Sequence, residues 1–516
     1  MIIFNLDNRS KTPLYIQIYT EIKKLIQTKI LKANEKLPSK KDFIDYYNIS
    51  QNTIQNALYL LLEEGYIFSI ERKGYFISDI ENLIIHNVKI ENKTKFKEKK
   101  KIHYDFSYSG VDSKSLAKTI FKRITKDVYD EENDDLLFQG DIQGDLLLRK
   151  SICEYLSQSR GFKVEAEQVV ISSGTEYLFY IIFKLFNNEI YGLENPCHKM
   201  FKELFLTNNV SFKAISLDEA GIVVEELKKY NVNIAYVTPS HQFPTGTIMS
   251  ISRRTELLNW ANENFNRYIV EDDYDSEFKY TGRPIPALKA TDINDKVIYL
   301  GSFSKSISPA IRVSYLVLPK VLLNIYQKKL PYFICPVPTL NQKILYRFIK
   351  DGHFVKHINK MRTLYKKKRE FLVNIIKTYS SKMFTKEIYI QGADAGLHLV
   401  IKLNKKINEK AFLKECLENS IKLYSLEEYY LEKIYNETSY FLLGYANLTN
   451  EEIEGGILLL LKILKEYCKN EKKTVIVITH NSSIAQTADK VIEIYDAKVK
   501  SVFVNQIPKN IDEIEW

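Results

Sequence analysis

The sequence predicts an α/β protein: a large domain on a mixed, mostly parallel sheet with a smaller α+β lobe, preceded by a separate helix-turn-helix that carries a β wing. Three observations predict it. From about residue 104 to residue 320, short apolar runs such as those opening at Val169, Tyr268 and Val297 alternate with segments of helical spacing, the pattern of strands joined by crossover helices. The first 80 residues instead carry two short capped helix patterns and an alternating hairpin. The chain has 516 residues, 45% of them hydrophobic, which is enough for both domains and a full core.

Taken in order, TPLYIQIYTEIKKLIQTKIL places apolar residues at helical spacing. Ser39 then caps a helix running to about Tyr47, Asn48 and Ile49 make the turn, and Ser50 caps a second helix. Tyr66 to Ile70 and Tyr75 to Ser78 alternate as a hairpin around Arg72, Lys73 and Gly74, which form the wing. The expected boundaries are 1–80 for this domain, 81–103 for a charged linker, 104–470 for the large domain and 471–516 for a tail. The run from Lys93 to Lys101 is too charged and too poor in apolar side chains to fold by itself. Residues 169–186 read as a strand, a Ser-Ser-Gly-Thr turn and a helix; Tyr268 to Val270 reads as a buried strand ending in acids and tyrosines. Residues 321–370 look largely helical, and 371–468 form the small lobe.

The chemistry concentrates in VIYLGSFSKSISPAIRVSYLVLP, residues 297–319. Lys305 stands on a small-residue turn between hydroxyls and an arginine. Ser302 and Ser304 can donate to a phosphate, Arg312 can neutralise it, and Lys305 can attack a carbonyl to form an imine, the arrangement that holds pyridoxal phosphate (PLP). In the acidic run 271–275, an aspartate facing a pyridine nitrogen would keep it protonated, and a tyrosine hydroxyl could bond the ring's phenolic oxygen. Backbone amides where the helix after Ser173 begins would make an anion site.

The strings TPSHQFPTG (238–246), VEDDYDSEF (270–278), SFSKSISPAIR (302–312) and ADAGLHLV (393–400) resemble, in that order, the motifs of fold-type I aminotransferases, and specifically of the MocR-type branch of the GntR transcription regulators. The resemblance implies a fold-type I PLP-dependent transferase domain. It makes Lys305 the Schiff-base lysine, Asp272 the partner of the pyridine nitrogen and Tyr274 the partner of the ring oxygen, with Ser173, Gly174, Thr175, Ser302, Ser304 and Arg312 holding the phosphate. His198, in ENPCH, occupies the place where the family usually stacks a tyrosine on the ring. The first 80 residues are similar to the GntR winged helix. That likeness places the second helix in the major groove, with Gln51, Asn52, Thr53, Gln55 and Asn56 as DNA contacts beside the capping Ser39 and Ser50, while Lys41, Arg72 and Lys73 meet phosphates. The family commonly has arginines where this chain has Lys41 and Gln51. A homodimer is implied as well.

Two departures bear on function. Where related enzymes hold a substrate carboxylate with an arginine, this chain has Phe441, Leu442 and Leu443; Gln139 stands where they often have a tyrosine reaching the neighbouring subunit's phosphate. Both favour a PLP-responsive transcription regulator, sensing vitamin B6 or a small amine or amino-acid adduct of it and binding operator DNA. The alternative is a working aminotransferase with an accessory DNA-binding domain. Residues 472–516 resemble the last segment of an ABC-transporter ATPase, with His480 at its strand end. The chain carries no GxxxxGK[ST] loop and no LSGGQ-like signature, so no ATPase activity is expected. The five cysteines form no CxxC pair and the eight histidines show no ligand spacing, so no metal is expected. No apolar run is long enough to span a membrane and MIIFNLDNRS has no secretory pattern, which points to the cytoplasm. The formal charge of +10 is spread along the chain and permits DNA binding without specifying it.

Overall fold

A computed structural model describes residues 6–7, 9–79, 102–131, 135–281, 285–384, 388–432, 437–470, 485–495, 498–506 and 508–509. The chain forms two compact units, Met1–Glu98 and Lys99–Trp516. Of the segment expected to be a linker, only residues 102 and 103 are described.

In the small unit, helices Leu14–Gln27, Lys40–Tyr47 and Gln51–Glu63 are followed by an antiparallel hairpin, Ile67–Ile70 with Gly74–Ile77. Ile18, Ile22, Phe43, Ile54, Leu58, Leu61 and Ile77 form its core. The starts of the second and third helices are fixed by side chains. Ser39 Oγ accepts the Asp42 N–H at 3.2 Å while the Asp42 carboxylate accepts the Ser39 N–H at 2.8 Å, and Ser50 Oγ accepts the Thr53 N–H at 3.2 Å. Asn48 makes the turn in the left-handed region, at φ +49°. The wing is one residue tighter than the sequence suggests. Arg72 takes φ +62° and the Lys73 N–H bonds Ile70 C=O at 3.0 Å, so Gly74 already pairs with Ile70.

The large unit is built on eight strands in the order Val169–Ser172, Ser314–Val317, Val297–Ser302, Tyr268–Asp273, Ile234–Val237, Tyr191–Asn195, Phe212–Asp218, Gly221–Ile222. From Val297–Ser302 to Phe212–Asp218 all neighbours are parallel; Ser314–Val317 runs antiparallel to both of its neighbours. Leu300 lies opposite Asp272, so the turn that carries Lys305 and the acidic run both leave the sheet at the carboxyl ends of two central parallel strands, where ligands collect in such sheets.

The strand expected at Tyr268 to Val270 continues to Asp273, and its acids are buried. Remote donors make this possible. Glu271 accepts the Leu288 and Lys289 N–H groups at 2.7 and 2.9 Å, and Asp273 pairs with Arg160 at 2.6 Å and accepts the Tyr299 hydroxyl at 2.5 Å. Helices Lys320–Lys329, Thr339–Lys350 and His353–Met383 lead into the small lobe. Its four antiparallel strands are ordered Tyr389–Gln391, His398–Lys402, Tyr440–Gly444, Tyr424–Ser425. In the tail, Lys490–Tyr495 and Lys498–Val504 form a hairpin; His480 and the expected strand Val475 to Ile478 lie outside the described residues. Among the described residues Cys153, Cys197, Cys335 and Cys416 are free thiols, and no helix is long and apolar enough to cross a membrane.

Candidate functional site

On the small unit, Ile54, Ala57, Leu58 and Leu61 turn one side of helix Gln51–Glu63 into the core. Gln51, Asn52, Gln55 and Asn56 are thereby left on one exposed face, where amide side chains can donate to and accept from base edges. Thr53 is half-buried and shares its hydroxyl with Ser50 at 2.8 Å, so these two, like Ser39, are occupied in capping. Lys41, Arg72 and Lys73 are exposed.

In the large unit, a cavity of about 240 Å3 opens at the carboxyl ends of the central strands. Gly174, Thr175, His198, Asp272, Tyr274, Ser302, Ser304, Lys305 and Arg312 all line it. Ser173 contributes instead its carbonyl, 3.4 Å from Arg312 Nη2.

Asp272 is buried and accepts the Tyr236 hydroxyl at 2.8 Å; burial pushes its carboxyl up to about 7, against that hydrogen bond. A cationic ring nitrogen set beside it would restore the ionised form. Lys305 donates to the Tyr108 carbonyl and its Nζ lies 4.9 Å from the Tyr108 ring centre. Burial lowers its pKa to about 8, which brings a nucleophilic free amine near neutrality. Tyr274 donates to the His241 carbonyl at 2.9 Å, and burial raises its hydroxyl well above the ordinary value.

His198 accepts the Met200 N–H on Nδ1 at 3.2 Å, so the proton of its neutral ring sits on Nε2, which meets the Tyr108 hydroxyl. Burial, then the Lys305 charge, lowers its pKa to about 4 and keeps the ring neutral. Buried His241, Asp275 and His398 bring one ligand atom each within 4.8 Å of the others, a grouping that sequence spacing does not reveal. Their hydrogen bonds occupy part of that capacity: His241 Nδ1 to Asp275 at 2.9 Å, and His398 Nε2 to the Pro244 carbonyl at 3.2 Å.

At the anion end, helix Thr175–Leu185 starts after Gly174, whose φ is +86°. The conformation favours glycine, and a Cβ there would fall 2.3 Å from Arg312 Nη2, so the guanidinium would have to move aside. Arg312 Nη2 lies 3.1 Å from Glu176 Oε2. Glu176 also lines the cavity, and sequence reasoning missed it. Its carboxylate holds the arginine now and would repel a phosphate later. Glu176→Gln is therefore expected to tighten PLP binding by roughly twofold to fivefold, the scale of a solvent-screened charge pair, in an absorbance titration; unchanged or weaker binding would refute this competition. Tyr236 was missed too, because it sits in an otherwise apolar strand, Ile234–Val237.

Residues 108–457 match the family described as aminotransferase class I and II, and residues 14–77 match the bacterial regulatory proteins of the gntR family. The chain is 34% identical to the uncharacterized HTH-type transcriptional regulator YdeL of Bacillus subtilis (strain 168), over 86% of this chain and 95% of that one. It is 25% identical to the probable rhizopine catabolism regulatory protein MocR of Rhizobium meliloti, over 88% and 94% respectively. The multiple substrate aminotransferase of Thermococcus profundus has the same fold, with a TM-score of 0.64 at 24% identity, over 72% of this chain and 93% of that one.

Proposed function

This chain belongs to the MocR-type branch of the GntR transcription regulators, and on that premise we propose how its residues divide the work of a PLP-dependent, DNA-binding regulator. The observation that carries the proposal is that Lys305, Asp272 and Arg312 line one cavity. These donors fit the cofactor. The Gly174 cradle with Arg312, Ser302, Ser304 and the first amides of helix Thr175–Leu185 would take its phosphate, Asp272 its ring nitrogen, Tyr274 its phenolic oxygen and His198 one ring face. When bound, PLP supplies an electrophilic carbonyl and an electron-withdrawing ring. Lys305 supplies the amine that holds it, and Tyr236 keeps the Asp272 carboxylate oriented.

The exposed amides of helix Gln51–Glu63 read bases, and Lys41, Arg72 and Lys73 position the backbone. The chain works in the cytoplasm as a homodimer, which presents two winged helices to paired half-sites. The signal it reads is PLP itself or an amine added to it.

Leu442 bears on catalysis. It is buried in one apolar cluster with Phe243 and Tyr429, so the position where the resemblance would put the carboxylate-binding arginine carries no charge. Without a bidentate carboxylate contact, an amino acid loses both binding energy and orientation. The PLP-loaded protein, mixed with a common amino acid and a keto acid, is expected to convert its cofactor once and slowly. Sustained turnover at about 1 per second or faster would instead make it an aminotransferase with an accessory DNA-binding domain.

A further inference from the structure

We propose that the cavity beside Lys305 receives, next to the cofactor, a primary amine that carries an apolar or aromatic group and no carboxylate. The inference rests on the cofactor reading above and names the ligand class of that site.

One wall is aromatic. The Tyr108 and Phe243 ring centres lie 4.6 Å apart, and Tyr429 packs 5.4 Å from Phe243. Behind them Val400, Leu426 and Leu442 are buried in the same cluster. An apolar group placed there is removed from water at about 25 cal/mol per Å2.

The charges lining the cavity oppose an acid. Among the described lining residues the basic side chains are Lys305 and Arg312, with His198 held neutral. Lys305 is committed to the cofactor carbonyl, and Arg312 sits with Glu176 at the phosphate end. Asp272 and Glu176 line the cavity as well. A carboxylate entering beside the aromatic wall would lose its hydration and meet no uncommitted cation in return. An amine, by contrast, is provided for. The Tyr108 carbonyl and ring face already receive the Lys305 ammonium, by hydrogen bond and at 4.9 Å, and would serve a second amine in the same way.

The test uses the full-length, PLP-loaded protein and ligand pairs that differ only in the carboxylate: 2-phenylethylamine against L-phenylalanine, and 3-methylbutylamine against L-leucine. Dissociation constants are read from the change in cofactor absorbance. Each amine is expected to bind at least tenfold more tightly than its amino acid, and Phe243→Ala should weaken 2-phenylethylamine tenfold or more. Amino acids that bind equally or better, or a cofactor band that responds to neither member of a pair, would overturn the proposal and leave the cofactor reading standing. Should Phe243→Ala fail to fold, the paired comparison in the wild type still decides. A protein that takes up no PLP removes both readings together.

Discussion

Lys305→Ala is expected to abolish the visible absorbance band that PLP gives when held as an imine, with no residual band for borohydride to shift. Lys305 carries the single amine among the described lining residues of the cavity, and no other side chain there can form that bond. The variant should stay folded. It removes a charge that burial already disfavours, and the turn is held independently by the Ser304 N–H to Ser302 Oγ bond at 3.1 Å. Circular dichroism of the variant checks this. The wild type adds a pH signature. The neutral amine is the attacking form, and burial lowers its pKa from 10.5 to about 8, so the rate of PLP capture should rise with pH and level off above about 8. A rate still climbing towards pH 10.5, the value for an unburied lysine, would place the reacting amine elsewhere.

Asn52→Ala is expected to lower affinity for the specific operator by about 1–3 kcal/mol, the value of a bidentate amide contact to a base, while leaving affinity for random DNA nearly unchanged. Lys73→Ala should instead weaken both and reduce the slope of log affinity against log salt by about 1. The contrast follows from position. Asn52 lies on the exposed face of helix Gln51–Glu63 opposite Ile54 and Leu58, whereas Lys73 is at the tip of the hairpin. Band shifts on operator and scrambled fragments at several salt concentrations separate the two effects; an Asn52→Ala loss that is equal on both DNAs would reassign Asn52 to the backbone.

Much of this is legible in the chain because it is local. Ser39 and Ser50 announce helix starts through contacts three residues away, and Lys305 announces itself through the hydroxyls around it on one turn. Pairings set by the sheet were not legible. Nothing near Asp272 in sequence points to Tyr236, which reaches it because the two strands are neighbours. The burial of Glu271 and Asp273 depends on Leu288, Lys289, Arg160 and Tyr299, none of which is adjacent to the acidic run in sequence. Glu176 escaped for the opposite reason. An acid in the first turn of a helix already has a local explanation in the helix dipole, which conceals its ion pair with Arg312 on a distant turn.

PLP held at Lys305 should alter how the chain binds DNA. The most direct test is the affinity of the full-length protein for a fragment upstream of its regulated gene and for a random fragment of equal length, measured by fluorescence anisotropy at fixed salt, with PLP loaded and with PLP removed. Binding to the upstream fragment should be tighter than to random DNA, and the operator affinity should differ at least fivefold between the two cofactor states, with Lys305→Ala indifferent to added PLP. Equal affinity for both fragments, or an operator affinity that PLP leaves unmoved, would contradict it.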